Sequence, residues 1–131
     1  MALVVPQVGE GKFLELMLGK DLVEDIYLKL FTNDLTPDDD TVIGDITEAS
    51  GNGYAVKTLT MANWTVTPAA TTVAVYAQQT FSFTGDLGNC YGYFWVMKTT
   101  GTLLLVERFP DAPYYASATQ DILITPRIEA A

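Results

Sequence analysis

Asp38, Asp39 and Asp40, in the stretch NDLTPDDDT, are the densest set of oxygen ligands in the chain. Carboxylates and carbonyls of this kind bind calcium when about six to eight oxygens converge. The run lacks the alternating D-x-D-x-D of an EF-hand, and no glutamate closes a loop of about twelve residues. Three adjacent aspartates on an extended backbone point in different directions. Thr36-Pro37-Asp38 has turn chemistry, so the expectation is a solvated acidic loop and no metal. Glu107, in LLLVERF, is the acid with the most apolar surroundings. Glycoside hydrolysis would need a second carboxylate about 5–9.5 Å away in a cleft. The neighbouring Arg108 points to the opposite face of a strand, so no ion pair between them is expected. Glu107 reads as a strand-edge residue.

Nucleophilic chemistry has little to work with. Cys90 is the one cysteine and the chain has no histidine. Ser-His-Asp triads, Cys-His dyads and histidine-based zinc or iron sites are therefore excluded. Cys90 reads as a small semi-buried side chain, with no disulfide partner. No glycine-rich phosphate loop, Cys-x-x-Cys pair or nucleophile elbow is present. The sequence predicts a protein that is not an enzyme, with no catalytic residue and no cofactor.

Trp64, Tyr76, Tyr91, Tyr93, Trp95, Tyr114 and Tyr115 offer flat rings with polar tips, suited to stacking on sugars. Alternate placement along a strand suits a core or a protein interface equally well. Tyr114 and Tyr115, after the turn FPDAP, are the pair expected to be exposed.

Charge narrows the partners. Seven bases against sixteen acids give a net charge of −9. Residues 1–48 carry eleven acids and three lysines, a net of −8, while the remaining 83 residues are nearly neutral. Such a chain cannot neutralise phosphates, which argues against binding nucleic acid. No stretch approaches the roughly 20 apolar residues of a membrane helix. MALVVPQVGEGK has no basic region ahead of its apolar run, so a signal peptide is not expected.

The elements that would position these residues are mostly strands. GEGKFLELMLGK places Phe13, Leu14, Met17 and Leu18 on one stripe, predicting a short helix after Gly9 that stops at Gly19. IYLKLFT predicts a strand from Ile26, and a short one is expected near Val42–Ile46 inside the acidic loop. YAVKTL, NWTVTP and TTVAVYAQQTFSFTG predict further strands, with breaks around 61–63 and 77–79. DILITPRIE adds one near the end, where Pro126 forces an edge or a bulge. Eight or nine short strands punctuated by turns predict an all-β fold, an antiparallel β-sandwich or jelly-roll-like barrel with one short N-terminal helix. The expected organisation is one domain over 1–131, with 1–25 as an arm and short helix.

The hairpin LGNCYGYFWVMKTTGTLLLVERF poses the central question. Strict alternation puts Tyr91, Tyr93, Trp95 and Met97 on one face and Phe94 and Val96 on the other. In the second strand it puts Leu103 and Leu105 on one face and Leu104 and Val106 on the other. Both faces are apolar and both need a cover. One is expected to face the chain's own sandwich. The other is expected to meet the helix at 13–18 or a second subunit, which makes Phe13, Leu14, Met17, Tyr91, Tyr93 and Trp95 candidate interface residues.

The phrases MALVVPQVGEGKFLELML, YLKLFTNDLTPDDDT, GYAVKTLTMANWTVT, QQTFSFTG, YGYFWVMKTTGTLLLVERFPDAP and ITPRI run through most of the chain. In their order, the sequence resembles small virion structural proteins of tailed bacteriophages. That resemblance implies a non-enzymatic virion component. The expectation drawn from it is a capsid cement or decoration protein that binds and stabilises the head shell, assembled in the host cytoplasm. Its partners would be the major capsid protein or other virion proteins, and it would itself form a dimer or trimer. The alternative is a tail, fibre or baseplate component with a carbohydrate-binding or adhesion role. The resemblance carries over no functional residues.

Overall fold

The structure, a computed structural model, describes residues 3–20 and 23–130, and for Ala130 the backbone. Residues 1–2 and 21–22 of the expected arm-and-helix segment lie outside the described residues. The fold is all-β and sandwich-like, with one short N-terminal helix.

The helix α1 spans Gln7–Met17. It is followed by β1 (Ile26–Phe31), β2 (Lys57–Leu59), β3 (Thr65–Thr67), β4 (Thr72–Val75), β5 (Gln79–Phe81) and β6 (Gly88–Cys90). The chain continues through β7 (Gly92–Met97), β8 (Leu103–Arg108), β9 (Tyr114–Ala116), β10 (Ile122–Ile124) and β11 (Arg127–Ala130). A four-stranded antiparallel sheet, ordered β2-β1-β7-β8, forms the spine. A three-stranded sheet, β11-β4-β3, and two strand pairs, β10-β5 and β6-β9, complete the architecture. Val42–Ile46, expected to be a strand, is instead a 3-10 turn at Ile43–Asp45, where the Asp45 carboxylate accepts the Val42 N–H at 3.0 Å. A local side-chain acceptor of this kind outcompetes strand pairing.

The hairpin of β7 and β8 turns at Thr99–Gly101, with Gly101 at φ +72°. Its register shifts between Trp95, opposite Leu105, and Val96, opposite Leu103. Leu104 is the extra residue of a β-bulge. The bulge corrects the strict alternation expected from the sequence. Leu104 and Leu105 both enter the main core, while Leu103 and Val106 enter a second cluster.

Both faces of the spine are thus buried, each by a different part of the chain. Tyr93, Trp95 and Met97 join Leu28, Leu30, Leu59, Phe81 and Ile122 in the main core. Phe31, Phe94, Val96, Leu103 and Val106 form the second cluster, with Val4, Leu35, Ile46, Tyr27 and Tyr91 packed against it. The cover of the second face is therefore the acidic loop and the N-terminal arm. The loop at 34–48, expected to be wholly solvated, has two sides. Pro37 and Thr41 are buried, Leu35 and Ile46 are half-buried, and Asp34, Asp38, Asp39, Asp40 and Asp45 face outward. Burying the apolar half offsets the entropy of ordering such a long connection.

Several bonds pin this cover. Val4 pairs with Val106 through two backbone hydrogen bonds of 2.9 Å, extending the spine beyond β8. The Gln7 N–H donates to the Asp39 carbonyl, tying the start of α1 to the loop. Asn33 receives the Thr47 N–H at 2.9 Å and donates to the Asp45 carbonyl at 2.8 Å. Arg108 reaches Asp34 at 2.5 Å and the Leu35 carbonyl at 3.0 Å, with its guanidinium over the Tyr91 ring.

The helix docks in a phase other than the hydropathy stripe predicts. Its buried side is Gly9, Phe13 and Leu16, and Phe13 and Leu16 pack on the main core. A Cβ on Gly9 would stand 2.0 Å from the Leu104 carbonyl oxygen, so the helix lies directly on the bulge. Only glycine permits that approach.

Candidate docking surface

The helix and the spine leave a groove between them. It has a volume of about 270 Å³ and is lined by apolar side chains from distant segments, including Phe13, Leu16, Trp64, Val66, Trp95 and Ile128. Trp95 forms its floor as a core residue, 2% exposed. Trp64 stands 5.3 Å from Trp95 and 5.3 Å from Tyr76, centroid to centroid, the latter edge-on. The wall is held by polar contacts behind it. The Tyr76 hydroxyl accepts the Thr60 N–H at 3.1 Å, and Asp25 accepts the Met61 N–H at 3.1 Å. The indole N–H groups of Trp64 and Trp95 are both buried without a hydrogen-bond acceptor among the described residues. Aromatic packing compensates for part of that cost.

Val23 and Val66, in the groove lining, are 65% and 59% exposed, and at the end of α1 Leu14, Met17 and Leu18 are 56%, 74% and 68% exposed.

The structure separates the six candidate interface residues into three groups. Leu14 and Met17 are exposed on α1, and Phe13 is half-buried, lining the groove and packed on the main core. Tyr91 is half-buried against the second cluster, under Arg108. Tyr93 and Trp95, at 7% and 2% exposure, fill the chain's own core, and Trp95 reaches the groove only as its floor. Val66 and Ile128 escape a sequence reading because they reach the groove only through the β11-β4-β3 sheet.

The residues that suggested chemistry are otherwise engaged. Asp38 accepts the Asp40 N–H at 3.0 Å and the Thr41 hydroxyl at 3.2 Å, a local turn. Among the described residues no group of three or more His, Cys, Asp or Glu side chains gathers as a metal site. Glu107 lies beside Tyr93, and burial, reinforced by that carboxylate, holds the Tyr93 phenol above its ordinary pKa. A larger cavity of about 730 Å³ opens next to Glu107, Arg127 and Glu129, but Arg127 is paired with Glu129 and Glu107 with Tyr93. Cys90 is fully buried and its thiol is pushed up to about 11 by that burial. Tyr114 and Tyr115 are 45% and 56% exposed on β9.

No helix is long and apolar enough to cross a membrane among the described residues. No family model matches the sequence, and neither a curated protein nor a solved structure matches it.

Proposed function

We propose that this chain is a non-enzymatic virion structural protein of a tailed bacteriophage, a cement or decoration protein that binds and stabilises the head shell. The observation that carries the reading is the open apolar face built by α1, Trp64 and Val66. Its groove is lined by apolar side chains, and among the described residues no polar side chain lines it, which favours docking over catalysis. The acids on the outer side of the loop at 34–48 add a negative surface that would meet a basic patch on a shell subunit. Cosedimentation with head shells that lack accessory proteins tests the proposal. Wild-type protein pellets in a fixed ratio to shell subunits, and less of it pellets as salt screens the acidic face. Protein that stays in the supernatant at every salt concentration would refute it.

A tail or fibre role with sugar binding has one supporting observation, the exposed Tyr114 and Tyr115. As neighbours on a strand they project to opposite sides, so they do not make one stacking platform. Glycan binding lost in Tyr115→Ala would favour that reading over the shell.

A further inference from the structure

We infer that the cavity between the N-terminal arm and β11 is a slot for one extended peptide strand of a partner protein, a strand that carries a basic side chain. It rests on the assembly reading above only for the partner's identity, and it names how that partner would be held.

The cavity, of about 730 Å³, is lined from two strand edges. One is β11, the outermost strand of β11-β4-β3. Its pairing phase follows from Tyr76, whose N–H donates to the Pro126 carbonyl at 3.0 Å. With Arg127 opposite Val75 and Ile128 opposite Ala74, that bond makes Ile128 the next residue to exchange hydrogen bonds with β4. The N–H and C=O groups of Arg127 and Glu129 therefore point away from β4, and both residues line the cavity. The other edge is the arm. Val4 uses both its backbone groups on Val106, which turns those of Leu3 and Val5 away from β8. Leu3 and Val5 line the cavity too. Among the described residues no backbone hydrogen bond joins the arm to β11.

Backbone chemistry selects the occupant. Water serves a free edge on an open surface, but the wall behind these groups is apolar. Leu3, Val5, Phe13 and Ile128 are half-buried and pack on the main core. An extended peptide pairs main chain with main chain along such an edge, and every second side chain faces inward. Inward it would meet the apolar wall and Glu107. Glu107 accepts the Tyr93 hydroxyl, which leaves acceptor positions on the carboxylate, and among the described residues no salt bridge reaches it. Arg127 is held by Glu129, so the lining sets two carboxylates against one guanidinium and favours a cation.

Amide exchange in the full chain, followed by nuclear magnetic resonance, gives the test. In the free chain the N–H groups of Arg127 and Glu129 should exchange at least about tenfold faster than that of Ile128, which β4 protects. The probes are capped pentapeptides of threonine, with valine, leucine or phenylalanine at one inward position and lysine or arginine at the other. At saturating peptide, exchange at Arg127 and Glu129 should slow at least about tenfold. Methylating two adjacent backbone nitrogens of the peptide should abolish the effect, and butylamine, a cation without a backbone, should not reproduce it. Glu107→Gln, its folding verified by circular dichroism and thermal midpoint, should weaken the lysine peptide roughly three- to tenfold and leave an alanine version unchanged. The same alanine version reads that loss on the wild-type chain. Free-chain exchange at Arg127 and Glu129 as slow as at Ile128 would overturn the inference. So would failure of every peptide to bind, equal binding of the methylated ones, or equal affinity for the lysine and alanine versions. Shell binding is scored separately. Peptide uptake by a chain that ignores shells keeps the slot and sinks the proposed function, and shell binding without peptide uptake does the reverse.

Discussion

Gly9 and Gly11 stand two residues apart in α1, and replacing each with alanine should move stability in opposite directions. An interior glycine costs a helix about 1 kcal/mol relative to alanine, so on propensity alone both changes stabilise. At Gly11 nothing lies within 4 Å of the new Cβ, and the gain of roughly 0.5–1 kcal/mol should appear in full. At Gly9 the new Cβ would lie 2.0 Å from the Leu104 oxygen and 2.8 Å from its carbonyl carbon. Both are backbone atoms of the bulge and cannot swing aside. The helix must lift, withdrawing the half-buried Phe13 and Leu16 from the main core at a cost of about 2–3 kcal/mol for the pair. The net effect is a loss of about 1–2 kcal/mol. Urea unfolding at fixed slope reads both signs as midpoint shifts, and thermal midpoints should separate the variants by roughly 10 °C. If both alanines stabilise equally, Gly9 does not rest on the bulge and the described docking of α1 is wrong.

Other perturbations test the rest of the molecule. Ile46→Asp should uncover the second cluster, lowering stability by about 1–3 kcal/mol and raising binding of a hydrophobic dye, whereas Asp40→Asn on the outer side of the same loop should change neither. Tyr54→Phe removes the hydroxyl that accepts the Leu30 N–H at 3.2 Å and donates to Glu48 at 3.0 Å, and should cost about 1–3 kcal/mol in chemical denaturation. Burial holds the phenols of Tyr54 and Tyr93 above their ordinary pKa of 10.0, so their stabilising contribution is complete below pH 10 and is lost as pH rises beyond it. Tyrosinate absorbance should therefore show these two of the seven tyrosines ionising late, together with unfolding. Cys90 should resist thiol reagents at pH 8 in the folded protein and react fully once unfolded, and rapid labelling of the native chain would contradict its burial.

Much of the strand content was legible in the sequence because alternation at Ile26, Leu28 and Leu30 or Ile122 and Ile124 is a local signal. The parity of β8 was not, because a bulge adds one residue to a strand and four consecutive apolar residues leave no mark of which is extra. The phase of α1 was misplaced for a related reason. Hydropathy gives Gly9 no weight, yet its missing side chain decides which face of the helix can touch the sheet. Reading Asp34, Asp38, Asp39, Asp40 and Asp45 as solvated was right for their side chains. It hid Leu35, Pro37, Thr41 and Ile46, which make the same loop a cover. The groove was the least visible feature, since Phe13, Trp64, Val66 and Ile128 meet only after two sheets have formed and the helix has docked.

If the proposed virion protein docks through the exposed face of α1, a partner should shield Met17, and oxidation of that side chain by dilute peroxide tests this most directly. Met17 is 74% exposed, while Met97 is 1% exposed and serves as an internal reference for intact folding. Mass spectrometry of dilute protein should find Met17 oxidising quickly and Met97 hardly at all. With shells added, Met17 should slow at least about fivefold with Met97 unchanged. Met17 oxidation at one rate with and without shells would contradict docking through this face.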